Sequence, residues 1–68
     1  MDYKMNEMQK MILSSFIFEN KEDIKHCVSE FKNNPFEMRN YFAENGIEVT
    51  VDQMNIFFDQ VQEILNEQ

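Results

Sequence analysis

TVDQMNIFFDQVQEIL, residues 50–65, is the stretch that decides the fold. Thr50 is placed to cap the amide of Gln53, and the Gln53 side chain to return to the Thr50 amide, the reciprocal signature of a helix start. Val49 and Met54 flank it as a hydrophobic staple. From there Met54, Phe57, Phe58, Val61 and Leu65 recur at i, i+3, i+4, i+7 and i+11. That spacing puts all five on one side of a helix and is incompatible with a strand. The spacing predicts a helix over about 51–66.

Working back toward the N-terminus, Asn45-Gly46 reads as the stop of a preceding helix, with Gly46 free to turn left-handed and Ile47 placed to fold back near Phe42. Its start is Asn34-Pro-Phe-Glu37: Asn caps, Pro takes the first helical position, and Glu sits at the positive helix end. This helix covers about 35–45. Asn20-Lys-Glu-Asp23 opens another, carried by Ile24, Cys27, Val28 and Phe31 over about 21–33. The first helix, about 3–18 from Tyr3 to Phe18, rests on Met5, Met8, Met11, Ile12 and Phe16. Leu13, Ile17 and Phe18 spread its apolar surface over most of the circumference, which places it centrally or at a dimer seam. Ile47, Val49 and Val51 alternate as in a strand, but three residues between two capped helices read as a connector. The expectation is an all-α, compact bundle of three to four short helices forming one small acidic domain, 1–68.

Sixty-eight residues bury only about 60% of the surface their unfolded chain exposes, so intrinsic stability is modest. One cysteine allows no internal disulfide, and a reducing cytoplasmic setting fits best. Seven Phe and six Met, with Ile and Leu, nevertheless supply a real core. The apolar run Met11-Ile-Leu-Ser-Ser-Phe-Ile-Phe18 is too short for a membrane span and lacks the flank of a secretory signal. The composition, rich in Asn, Lys, Glu, Ile and Phe, suggests an AT-rich coding sequence of a bacterium or its phage.

Little in the chain supports catalysis. A single Gly rules out a phosphate-cradling glycine loop, and no calcium-loop pattern occurs. His26 and Cys27 point about 100° apart on a helix and cannot converge on one ion or pair with each other. Cys27 lies on the apolar side and reads as a core thiol, while His26 lies beside it with Glu30 one turn on, a solvated pair of little weight. Paired carboxylates need an enclosing pocket to do acid–base work, which a domain this small seldom builds. The expectation is no enzyme, no metal and no cofactor.

Charge is the more telling feature. Residues 40–68 contain Glu44, Glu48, Asp52, Asp59, Glu63 and Glu67 and no Lys or Arg, so most of the formal charge of −7 sits at one end. Such a surface repels nucleic acid and membrane headgroups and attracts basic protein surfaces. The six basic residues, Lys4, Lys10, Lys21, Lys25, Lys32 and Arg39, are scattered and form no stripe for direct DNA binding. Asp59, Glu63 and Glu67 recur every four residues and share the outer face of the last helix, with Asp52 on the same side. Ile56 stands among them as an apolar anchor with a charged rim. Phe36 and Ile17 also point away from their own stripes, and Met1, Met5, Met8 and Met11 suit an adaptable contact surface or core filling alike.

Phe31-Lys-Asn-Asn-Pro-Phe-Glu-Met-Arg39 followed by Asn45-Gly-Ile-Glu-Val-Thr50 resembles the Nif-type leader peptides that precede ribosomally made, modified peptide natural products. Those leaders carry an Asn/Asp-Pro-x-Leu helix start and a Gly-Ile/Tyr-x-x-Thr turn into an acidic last helix. The resemblance covers about residues 24–60 and implies recognition by a peptide-modifying enzyme, with no catalysis by the chain itself. Read from its charge, the chain is instead a small acidic inhibitor or adaptor docking on a basic protein surface through Asp52, Ile56, Asp59, Glu63 and Glu67. One form of that expectation is a phage or mobile-element inhibitor of a nucleic-acid-handling enzyme, acting as a DNA mimic in the manner of an anti-CRISPR protein. A structural homo-oligomer, such as a homodimer, is the remaining alternative.

Overall fold

The computed structural model describes residues 6–68 as four α-helices around one core, with no strand among the described residues. Helix α1 spans Glu7–Glu19, α2 Lys21–Glu30 and α3 Pro35–Glu44; a 3-10 turn over Val51–Gln53 leads into α4, Met54–Glu67. The all-α bundle expected from the punctuation is the fold found, with α2 ending earlier and α4 starting later than expected.

Helix α1 is described from Glu7, with the extended Asn6 (φ −77°, ψ 173°) capping it; the expected start at about Tyr3 lies outside the described residues. The Gln9 amide donates to Asn6 Oδ1 at 2.8 Å and the Asn6 amide to Gln9 Oε1 at 3.1 Å, closing a capping box. Met1 and Met5, placed by the sequence reading on a contact surface or the helix stripe, lie outside the described residues. Helix α2 ends at Glu30 rather than about Asn33. The amides of Asn33 and Asn34 both turn back to the Glu30 carbonyl, and the residue before Pro35 is barred from continuing a helix. Asn20 caps α2 without a side-chain bond; its Nδ2 instead donates to the Phe16 carbonyl and closes α1.

The stop at Gly46 forms as expected. Gly46 takes φ +85°, its amide donates to Ala43, and the Ile47 amide reaches the Phe42 carbonyl at 2.9 Å. The connector then runs extended to Thr50, pinned where the Arg39 guanidinium donates to the Val49 carbonyl at 2.7 Å. At the α4 start the Thr50 amide donates to Gln53 Oε1 at 3.2 Å, and the staple residues Val49 and Met54 are both buried.

The core is Leu13 and Ile17 of α1, Ile24 and Cys27 of α2, Met38 and Phe42 of α3, Val49, and Met54, Phe57, Val61 and Ile64 of α4. Phe42 is its hub: its ring lies 5.0 Å from Phe57 edge-to-face and 5.3 Å from Phe16, centre to centre. Phe31 stacks on Phe58 at 4.1 Å and ties the end of α2 to α4.

Two face assignments are corrected. On α1, Phe16 is half-buried as expected, but Met8, Met11 and Ile12 are exposed and the core is met by Leu13 and Ile17. Ile17, expected to point away from its helix stripe, has no exposed surface. A helix apolar on all sides carries no periodic signal for its inner face, so neighbouring helices decide it. On α4 the core face is rotated toward Ile64, which is buried, while Leu65 is half-buried.

Candidate functional site

The outer face of α4 is the helix surface opposite Met54, Phe57, Val61 and Ile64, and the helical repeat alone fixes its membership. Asp59, Glu63 and Glu67 lie along it and are exposed; Asp52 projects from the 3-10 turn at its start and is exposed too. Ile56 lies between Asp52 and Asp59 along the chain, half-buried and outside the core cluster. None of these carboxylates makes an ion pair with a described residue; among the described residues the ion pair is His26 with Glu37. The nearest preceding cation, Arg39, is committed to the Val49 carbonyl. Unopposed carboxylates at i, i+4 repel along a helix, and Glu67 stands at the negative end of the helix dipole. The face therefore costs helix stability instead of adding to it.

His26 and Cys27 diverge as their adjacency requires. His26 is exposed, and its Nε2 lies 3.4 Å from Glu37 Oε1 on α3, not beside Glu30 as the one-turn spacing suggested. Inter-helix packing outcompeted the local pair. Cys27 is buried and unpaired, and burial pushes its thiol pKa upward, with the carboxylates of Glu37 and Asp23 adding to the effect. A thiol held in its neutral form is a poor nucleophile. The Tyr41 hydroxyl donates to Asp23 Oδ2 at 3.3 Å, and burial followed by that carboxylate raises its pKa as well.

A cleft of about 230 Å³ opens between α1 and the connector, lined among others by Gln9, Ile12, Ile47, Glu48 and Phe57. Among the described residues Glu48 is its one ionisable side chain, and they bring together no nucleophile and base there. Among the described residues no group of three His, Cys, Asp or Glu could hold a metal ion, and no helix is long and apolar enough to cross a membrane.

A second exposed surface lies on α1, the helix that the sequence reading placed either centrally or at a dimer seam, with Met8 and Met11 as contact surface or core filling alike. Met8 (71% exposed), Met11 (69%), Ile12 (57%) and Phe18 (66%) form a continuous apolar strip facing away from the core. Its signal was present: Met8, Met11, Ser15 and Phe18 are spaced three, four and three residues apart, a seam pattern independent of the core-facing Leu13 and Ile17. Phe36, at 48% exposed, is a separate apolar residue on α3 that points outward as expected. Comparison with family models, curated proteins and solved structures returns no match.

Proposed function

We propose that this chain is a non-enzymatic protein-binding module that docks the outer face of α4 on a basic surface of a partner protein. The observation that carries this reading is the exposed row Asp59, Glu63 and Glu67, with Asp52 at its head, which makes no ion pair among the described residues. Residues arranged at a cost to the helix that bears them need a reason outside the fold, and complementary charge on a partner supplies one. The carboxylates steer and orient the encounter. Ile56, half-buried and free of the core cluster, adds apolar contact at the centre of a charged rim.

The biological form we favour is a small inhibitor or adaptor acting in a reducing cytoplasm, where a lone buried thiol persists unpaired. A basic groove built for phosphates is the kind of surface a line of carboxylates fits, which makes a nucleic-acid-handling enzyme the partner class of choice. Capture from cell extract on the immobilised chain tests this. Retained protein is expected to elute between about 0.05 M and about 0.5 M salt, to be displaced by duplex DNA, and to be lost with Asp59→Lys plus Glu63→Lys while the far-UV spectrum is unchanged. Retention unaffected by both the double reversal and the salt would sink the α4 reading.

A further inference from the structure

We propose that the cleft between α1 and the connector receives a single long cationic side chain, an arginine or a lysine, of the basic partner protein. Its size sets the class of occupant. At about 230 Å³ it falls below the roughly 300–1,000 Å³ of sites that enclose cofactors or drug-sized ligands, and it has room for one side chain. Its walls set the chemistry. Ile12, Leu13, Ile47 and Phe57 supply apolar surface for a hydrocarbon stem, and the exposed Glu48 is the one ionisable side chain among the described lining residues. Glu48 makes no ion pair with a described residue, and no described Lys or Arg lines the cleft. An apolar stem with one positive tip answers both features. An anion would meet Glu48 and a chain of net charge −7, and a purely apolar group would leave the carboxylate unanswered.

The cleft is formed before anything enters it. On the α1 wall the Gln9 side chain is held by the capping box, its Oε1 accepting from the Asn6 amide at 3.1 Å. The opposite wall is fixed on either side of Glu48: the Ile47 amide donates to the Phe42 carbonyl at 2.9 Å, and the Arg39 guanidinium donates to the Val49 carbonyl at 2.7 Å. Gly46, at φ +85°, turns the chain into that wall, and no heavy atom lies within 4 Å of the point where a side chain on it would start. The space beside the turn is therefore open. A site held by bonds of its own spares an incoming group the ordering cost that a collapsing site would impose.

That a partner protein supplies the cation rests on the α4 reading; the preference of the cleft for an alkyl cation does not, and the two are tested apart. The probe is n-butylguanidinium, an arginine side chain carried back to its α-carbon, added to the isotopically labelled full chain at about 0.15 M salt while amide shifts are followed by NMR. n-Butanol carries the stem without the charge, and guanidinium the charge without the stem. n-Butylguanidinium is expected to shift the amides of Gln9, Ile12, Gly46 and Glu48 and to saturate in the millimolar range. n-Butanol should bind there about two- to fivefold more weakly, and guanidinium should give no saturating shift. Glu48→Gln should weaken n-butylguanidinium about two- to fivefold and remove its advantage over n-butanol. Asp59→Lys plus Glu63→Lys should leave the titration within about twofold, because those acids lie on α4. Shifts that gather on α4 instead of the cleft, n-butanol binding as tightly, or an affinity indifferent to Glu48→Gln each overturns the proposal, whatever the outcome of capture from extract. Binding at the cleft as described, beside a failure of the α4 reading in that capture, upholds the chemistry of the site and overturns a basic partner as its source.

Discussion

Helices α1 and α4 pack on the same core and have opposite outer surfaces: α1 turns an apolar strip outward, α4 a row of carboxylates. The two helices reach that result from different kinds of sequence. In α4 the apolar residues other than Ile56 occupy one side and the acids the other, so period separates inside from outside. In α1 apolar residues surround the axis, and the choice between the Leu13–Ile17 side and the Met8–Met11–Ile12–Phe18 side belongs to the neighbouring helices. A helix with more apolar surface than its own fold covers is a helix with surface left for something else.

The largest effect that could break this comparison lies within α1 itself. Ile17→Ala removes a side chain with no exposed surface from the core and should cost about 2–5 kcal/mol in urea unfolding. Ile12→Ala, on the strip, should stay within about 0.5 kcal/mol when measured at concentrations where the chain is monomeric. The reverse ranking would mean that the two faces of α1 have been exchanged.

Ile64→Ala sharpens the α4 side. Its loss should approach that of Ile17→Ala, and Ile56→Ala should cost clearly less, because Ile64 is in the core cluster and the half-buried Ile56 is not. That pair also marks how far the sequence was legible. Thr50 and Gln53, Asn34-Pro35 and Gly46 each act through bonds within a few residues of themselves, so caps and stops were readable and the helix order followed. The inner face of α4 was read to within one residue-width of rotation: Met54, Phe57 and Val61 were found, Leu65 was taken as core, and Ile64 was passed over. Where the outcome depends on distant neighbours, reading failed, as with Ile17 turned inward and His26 drawn across to Glu37. The outward carboxylates of α4 were legible because a helix with one apolar side leaves its polar side no other place to go. The α1 strip was legible only as one of two alternatives, core or seam, because the spacing of Met8, Met11 and Phe18 does not by itself say which side of an all-round apolar helix its neighbours will cover.

A smaller effect tests whether the α4 acids are a burden to the fold. Glu63 has Asp59 one turn before it and Glu67 one turn after, so Glu63→Gln relieves two like-charge neighbours at once. A gain of a few tenths of a kcal/mol is expected, shrinking as salt is added. Stability lost on this substitution, or a gain insensitive to salt, would mean that Glu63 serves the fold, and the contrast with α1 would then be one of apolar exposure alone.

The smallest effect concerns the core that holds the two faces apart. Burial, aided by Glu37 and Asp23, raises the Cys27 thiol above its ordinary value of 9.0, so the folded chain keeps the proton where the unfolded chain has begun to release it. A raised folded-state pKa stabilises fully below the unfolded value and loses that contribution as pH climbs through the folded one. The stability difference between the wild-type chain and Cys27→Ala should therefore be flat up to about pH 8.5 and narrow above it. Tyr41, raised from 10.0 by burial and by Asp23, acts in the same direction but begins later, so the thiol's share is read below pH 10. A difference that stays flat from about pH 8.5 to about pH 10, or widens there, would mean a thiol that burial does not raise, and the packing of α2 beneath both surfaces would have to be redrawn.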